Sequence, residues 1–527
     1  MAEPIAPDYG QQFLFPPALE DWVASDHPAR YLREFVDALN MGEMGFEMPT
    51  CLEGRPPYAP SLLLKIWLYG YYHRIRSTRK LEAACRDHLP LVWLTGMIQP
   101  DHNSLWRFWS ANKKAVRAIF KKTVEVAMQT GCVGLALQAV DGTKIEASAS
   151  GYSGMSQKHM EKLLAALDAS IDEAELKIVA ENSQSTDQEC RLPAGMAERK
   201  ALREKIKEGL AQLAADGRKH HHPVEVEARR MKVGSTNRFA CNAQIVADEQ
   251  AGIIVAAEVV RQETDFGQLV PMIQQARENL GVSCLSTTTV ADASYAGGAD
   301  LKAADDKQVK VLAPPSEGPA QRDHPYTAHR FRYDENDKTV TCPRGVKLDY
   351  EGQTTKKGYV VQRYRCHCQD CPVRTQCTKD RKGRQIEIWP HTPLIQRMRR
   401  KLESPFLDQQ WSRRREIVER QFGQIKQHDG FRRWTVWGLE NVRAQWLMLC
   451  STLNLRVLYK RWQSLRKSPA AHAALSLQAA LVRPTGVFQF VSTLVLPALH
   501  LFESAFLSIL CCCLYRKNLS PILFRSF

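Results

Sequence analysis

Leu135–Ser150 reads LALQAVDGTKIEASAS, a short apolar run that ends on Asp141 and Gly142 and continues in polar residues. This is the pattern of a buried strand that delivers a carboxylate near its end, where an open site can form. An aspartate after a strand is usually a turn former, so the stretch gains its weight from its neighbours. Downstream, FACNAQIVAD and AGIIVAAEVV are two apolar, β-branched runs separated by a turn, consistent with a hairpin. DFGQLVPMIQQARENLG follows as a helix closed by Gly281, and SCLSTTTVADASYAGG then gives a second buried strand, Thr287 to Val290, ending on Asp292 before a Gly-rich turn. The two strands could lie side by side. Carboxylates at neighbouring strand ends could hold a divalent cation, because hard cations take charged oxygen ligands.

Outward from this α/β centre the composition changes. Pro60 to Gly131 is helical by its spacing: in SLLLKIWLYGYYHRIRSTRKLEAACRDH apolar residues recur at three and four, RST starts a second helix, and PDHNSLWRFW restarts the pattern with Asn103 or Ser104 as its cap. Short helices carrying Arg74, Arg76, Arg79 and Lys80 suit an all-α DNA-binding domain over residues 1–131; solvated arginines on a packing domain are the alternative. Between the first strand and the hairpin, about 152–232, EKLLAALDASIDEAELKI and ERKALREKIKEGLAQLAA predict an inserted helical arm. The KHHHP that follows is expected to be a solvated loop, since three adjacent histidines do not share a helix face.

Lys plus Arg number 72 against 57 Asp plus Glu in 527 residues, a net charge of +15. Such a surplus favours a polyanionic partner, while the length is enough for more than one domain. MAEPIAPDYGQQ shows no basic n-region and apolar h-region, so no secretory signal is read, and the 15 cysteines are expected in a reducing compartment. Five of them cluster at about 325–390. Cys368-x2-Cys371 and Cys377, with Cys342 or Cys366 as a fourth, could make a tetrahedral thiolate zinc site; a reduced cluster of packing cysteines is the alternative. After about Arg466, VFQFVSTLVLPALHLFESAFLSILCCCLYRK is apolar but broken by Pro497, His500 and Glu503, which argues against a membrane span.

Trp411–Trp434, WSRRREIVERQFGQIKQHDGFRRW, sets two glutamates in a very basic run. At about 100° per residue, Ser412, Arg415, Glu419 and Lys426 share one stripe, and Trp411, Val418, Phe422 and Ile425 form the apolar stripe beside it. Glu416 projects away. Arg415 and Glu419 are four apart, so a plain helix ion pair is the competing reading.

Taken with RPPYAPSLLLKIWLYGYYHRIRSTRKLE, PDHNSLWRF, AVDGTKIEASAS, FACNAQIVAD, VADASYAGG and IVERQFGQIK, the chain resembles the DDE transposases of bacterial insertion sequences, in the branch with a Tyr-x2-Arg-x3-Glu-x6-Lys signature. The resemblance runs from Phe13 to Tyr459. It implies an α/β, ribonuclease-H-like catalytic core over 132–465 with helical and Cys-rich insertions, the all-α domain before it, and an atypical extension over 466–527. It matches Asp141, Asp292 and Glu419 to the catalytic acids, Arg415 and Lys426 to phosphate contacts, and puts Ser412 where the signature has tyrosine. Two Mg²⁺ (or Mn²⁺) ions held by the acids would support strand cleavage at terminal inverted repeats and strand transfer into target DNA. The implied partner is DNA in the cytoplasm and nucleoid, without a small-molecule substrate, and synapsis of two ends implies a dimer or larger assembly. A nuclease or recombinase without strand transfer, or an inactive DNA-binding relative, are the rivals.

Overall fold

The computed structural model describes residues 18–48, 56–182, 195–282, 287–315 and 324–467, so the apolar extension over 466–527 lies almost entirely outside the described residues. The chain divides into two compact units, one of residues up to Phe108 with those from Leu458 on, the other Trp109–Val457.

In the first unit, helices α1 (Pro28–Asp37), α2 (Pro60–Tyr72), α3 (Thr78–Asp87), α4 (Leu89–Leu94) and the start of α5 (His102–Asn112) follow one another. Pro28 and Pro60 open α1 and α2, where a missing N–H costs nothing. The cap of α5 is Asp101, whose carboxylate accepts the Ser104 N–H at 2.8 Å, rather than Asn103 or Ser104. The acid one residue before the helix reaches its third N–H, which is the geometry of a cap. Arg74 occupies the left-handed region (φ 67°) in the turn between α2 and α3. Arg76 is partly covered near that turn, and Arg79 and Lys80 are exposed on the first turn of α3.

The second unit opens with α6 (Val116–Gln129) and β1 (Leu137–Glu146). The inserted arm is α7 (Gln157–Asn182) against α8 (Met196–Asp216), packed through Met160, Ile206 and Leu213. A two-residue ladder closes its base, β2 (Met155–Ser156) on β3 (His220–His221). KHHHP is therefore not a solvated loop. His221 and His222 are buried, with His222 Nε2 3.0 Å from Ser150 O and its Nδ1 accepting the Glu225 N–H at 3.0 Å. The ladder needs backbone groups and the imidazoles satisfy neighbouring ones, neither of which adjacency in sequence shows.

β4 (Arg229–Val233), β5 (Thr236–Asp248), β6 (Ile254–Val260), β7 (Thr288–Val290) and β8 (Val311–Leu312) join β1 in a mixed sheet. Its order is β4-β5-β1-β7-β8, with β6 also paired to β5. β5 runs antiparallel to β1, β4 and β6, whereas β7 runs parallel to β1 and β8 parallel to β7. Parallel neighbours need crossovers, supplied by α9 (Leu269–Leu280) before β7 and α10 (Gly298–Asp306) before β8. A second sheet is an antiparallel meander of β9 (Arg332–Asp334), β10 (Thr339–Thr341), β11 (Lys347–Lys356), β12 (Tyr359–Cys366) and β13 (Arg384–Ile388), with the short α11 (Arg374–Cys377) between the last two.

The chain then returns to the first sheet through α12 (Thr392–Leu402) and α13 (Pro405–Ser412). Beyond α13 come a π-type turn at Arg415–Glu419, one α turn, α14 (Arg420–Gly423), and a second π-type turn at Gln424–His428. Ile417 and Val418 of this segment are buried with Leu137, Ala139, Val290 and Leu312 of the sheet, and Trp411 and Phe422 pack at the edge of that cluster. α15 (Leu439–Arg466) closes the described chain. No helix among the described residues is long and apolar enough to cross a membrane.

Candidate active site

Strand alternation fixes the position of the first acid. Leu137 and Ala139 are buried under the Pro405–His428 segment, so Asp141, two residues on, faces the same side. The parallel register pairs Ala139 with Val290. Asp292 lies two residues past Val290, so Asp141 and Asp292 come to the same level on adjacent strands. Asp292 caps the short turn Ala293–Tyr295, accepting the Ser294 N–H at 2.8 Å.

A third carboxylate, which the sequence did not single out, stands with them. Asp265 lies between β6 and α9; its Oδ1 accepts from Lys144 Nζ at 2.9 Å, Asn242 Nδ2 at 2.8 Å and Gln244 Nε2 at 2.7 Å. Ser294 Oγ is 2.5 Å from Asp292 Oδ1 and 3.2 Å from Asp265 Oδ2, so one hydroxyl proton serves two carboxylates. The Tyr295 hydroxyl donates to Gln244 Oε1 and extends the network inward. Gly142 is where this crowding shows in the backbone: a Cβ there would stand 2.2 Å from Gln244 Nε2 and 2.7 Å from Asp265 Oδ1. Glycine after Asp141 is thus a packing requirement of the site.

The charges respond accordingly. Burial raises the Asp141 carboxyl to about 6, with Asp292 and Asp265 adding to the rise and Arg414 opposing it. Burial works against ionisation of Asp265 too, yet hydrogen bonds from Asn242, Lys144 and Gln244 outweigh it and hold that carboxyl below its ordinary value. Burial also lowers the Lys426 ammonium, helped by Arg432 and Lys144.

The cations are arranged differently from the helical wheel. Arg414 Nη1 meets Asp141 Oδ2 at 2.6 Å, and both side chains are nearly enclosed, at 14% and 15% exposure. Arg415 is 78% exposed and stands 4.0 Å from Glu419, itself 61% exposed. Lys426 Nζ donates to Lys144 O at 3.3 Å. An α-helical wheel separates Arg414 and Lys426 by about 120°; the slower-winding π-type turn between them brings both onto β1. Trp411 anchors the segment by donating from Nε1 to Ala291 O at 2.9 Å, next to Asp292. Ser412 spends its hydroxyl on Gln409 O at 2.8 Å.

The structure therefore brings Asp141, Asp292 and Asp265 into one electrostatic neighbourhood and leaves Glu419 on the exposed edge of the neighbouring helix. Among the described residues no three His, Cys, Asp or Glu side chains are placed to hold one metal ion. Elsewhere, Cys342, Cys366, Cys368, Cys371 and Cys377 line a single cavity beside the five-stranded sheet.

Residues 341–459 match a family model described as a transposase DDE domain, and residues 17–111 match one described as a transposase domain. Both matches support a DDE transposase of the insertion-sequence type, and they indicate DNA transposition as the general process. The DDE-domain match includes Arg415, Glu419 and Lys426; Asp141 and Asp292 lie before it. A comparison with curated proteins found no match.

Proposed function

We propose that this chain cuts DNA at the ends of an insertion sequence and joins the freed ends to target DNA, with Asp141, Asp292 and Glu419 as its metal-binding acids in a ribonuclease-H-like core. The observation that carries the reading is the register placing Asp141 and Asp292 at one level on adjacent parallel strands. The path β6-β5-β1-β7-β8, antiparallel through β1 and parallel beyond it, supports the core that the sequence resemblance implies.

Asp141 and Asp292 offer the hard oxygens that suit Mg²⁺ or Mn²⁺, close enough that Asp292 contributes to raising the Asp141 carboxyl. Glu419 is assigned by the signature spacing and the transposase-domain match, not by contact. Bound there, two such ions would acidify the attacking hydroxyl and offset charge on the scissile phosphate. The protein's own groups do the positioning. Ser294 ties Asp292 to Asp265, Arg414 holds Asp141, and Lys426 places an ammonium beside β1. Arg415, exposed on the edge, is free to meet a phosphate backbone, and Arg76, Arg79 and Lys80 of the first unit would contact the inverted repeat. Two ends held in synapsis call for a dimer or larger assembly.

The test uses labelled inverted-repeat DNA, Mg²⁺ and a target plasmid. Asp141→Ala, Asp292→Ala or Glu419→Ala should each lower cleavage and joining by about 10³-fold or more. Joined product that persists in the variants would sink the assignment, and cleavage without joining would make the chain a nuclease instead.

A further inference from the structure

The five clustered cysteines are not equivalent. Cys366 ends β12 and is buried in the core of the five-stranded sheet with Tyr364, Ile386 and Phe331. Cys342, Cys368, Cys371 and Cys377 are all free thiols of intermediate exposure, and each sits in a turn or at the end of the short α11. Cys342 heads a tight turn: its carbonyl accepts the Gly345 N–H at 2.9 Å, and its Sγ accepts the Val346 N–H at 3.4 Å. Cys368 and Cys371 flank a second turn, with Cys371 N–H directed at Cys368 O at 3.4 Å, and Cys377 donates its N–H to Val373 O at 3.0 Å. Gly383 brings the chain back onto this end of the sheet. Its φ is +97°, and a Cβ there would lie 1.9 Å from Cys366 O.

We propose that Cys342, Cys368, Cys371 and Cys377 bind one zinc ion as a tetrahedral thiolate site, with Cys366 as a core thiol beneath them. Four sulfurs on two turns and a short helix, spaced Cys-x2-Cys at their centre, are the ligand chemistry of a structural zinc centre. The sheet gives a reason for one. Its buried cluster is Phe331, Val340, Leu348, Tyr364, Cys366, Ile386 and Ile388, a small core for five strands, and small cores are commonly completed by a metal or disulfides. The sulfurs line the cavity without converging on one point. All four are of intermediate exposure, and zinc binding would draw their sulfurs in to about 2.3 Å from the ion. This site does not depend on the proposed DNA chemistry.

The full-length chain, made in zinc-supplemented medium and purified under reducing conditions, should carry about one zinc ion per chain by elemental mass spectrometry. Cys368→Ser with Cys371→Ser should bring that to background, and Cys366→Ala should leave it unchanged. Independently of any variant, the metal-stripped chain refilled with Co²⁺ should show thiolate-to-cobalt charge-transfer absorption and the visible bands of a tetrahedral centre. Absence of both zinc and those bands overturns the site. Zinc retained by the double variant, or lost from Cys366→Ala, overturns the ligand set.

Discussion

Asp265 and Glu419 are both acidic side chains of the Trp109–Val457 unit, and the fold treats them in opposite ways. Asp265 accepts from Lys144, Asn242 and Gln244 through one oxygen and from Ser294 through the other, in a site whose Lys144 and Asp265 side chains are only 19% and 16% exposed. Glu419 faces Arg415 at 4.0 Å, with both side chains mostly in solvent. A buried charge must be satisfied within the fold, whereas an exposed one can be handed to a ligand. The comparison separates groups that hold the site together from groups left available to a phosphate backbone.

The largest effect should follow from breaking the fixed side. Asp265→Asn keeps the shape but leaves the Lys144 ammonium nearly enclosed without its counter-charge and sets an amide against the Asn242 and Gln244 donors. Removing one partner of such a pair costs about 3–5 kcal/mol, read as a fall in the urea midpoint at constant slope. Adding Lys144→Met should recover much of the loss, since the second change removes the stranded charge. An unchanged midpoint in Asp265→Asn would show that the network contributes nothing to stability.

How far the sequence reached follows the same division. The runs LQAV, FACNAQIVAD and IIVAAEVV mark their strands because burial on a sheet leaves an apolar pattern, and VADAS marks where Asp292 leaves β7. Asp141, expected near a strand end, lies instead in the middle of β1, because pairing with β5 carries that strand on through polar residues to Glu146. The amphipathic arm was legible for the same reason. Asp265 was not, because ETDFGQ reads as an ordinary loop and its partners lie on a strand more than twenty residues away and in the β1 segment beyond it. Arg414 was missed because a wheel with fixed angular steps assumes α geometry, and the segment changes to π-type winding at Arg415. The histidines of KHHHP failed on long-range pairing, their ladder partners being Met155 and Ser156.

A smaller effect is expected at Gly142, where the network presses on the backbone. Gly142→Ala puts a methyl group 2.2 Å from the Gln244 amide and 2.7 Å from Asp265, and Gln244 is wholly buried and hydrogen-bonded to Asn242 and Asp265. Overpacking of this kind costs about 1–3 kcal/mol. Proposed strand cleavage should fall as well, because the displaced groups position Lys144 and Ser294. A variant that unfolds at the wild-type midpoint and crystallises with Gln244 unmoved would show that the close approach relaxes freely.

The smallest effect on stability, and the sharpest test of the comparison, is at Arg415. An exposed pair four residues apart at 4.0 Å contributes no more than about 0.5 kcal/mol, and added salt screens it further. Arg415→Gln should therefore leave the unfolding midpoint within error of wild type. If Arg415 meets the DNA backbone, as proposed, the same change should weaken inverted-repeat binding and lower the slope of log affinity against log salt by about 1. Binding, salt slope and stability all unmoved would make Arg415 and Glu419 an ordinary solvated helix pair. Arg414→Gln is the control from the enclosed side: it removes the guanidinium that meets Asp141 at 2.6 Å, so its stability must move where that of Arg415→Gln does not.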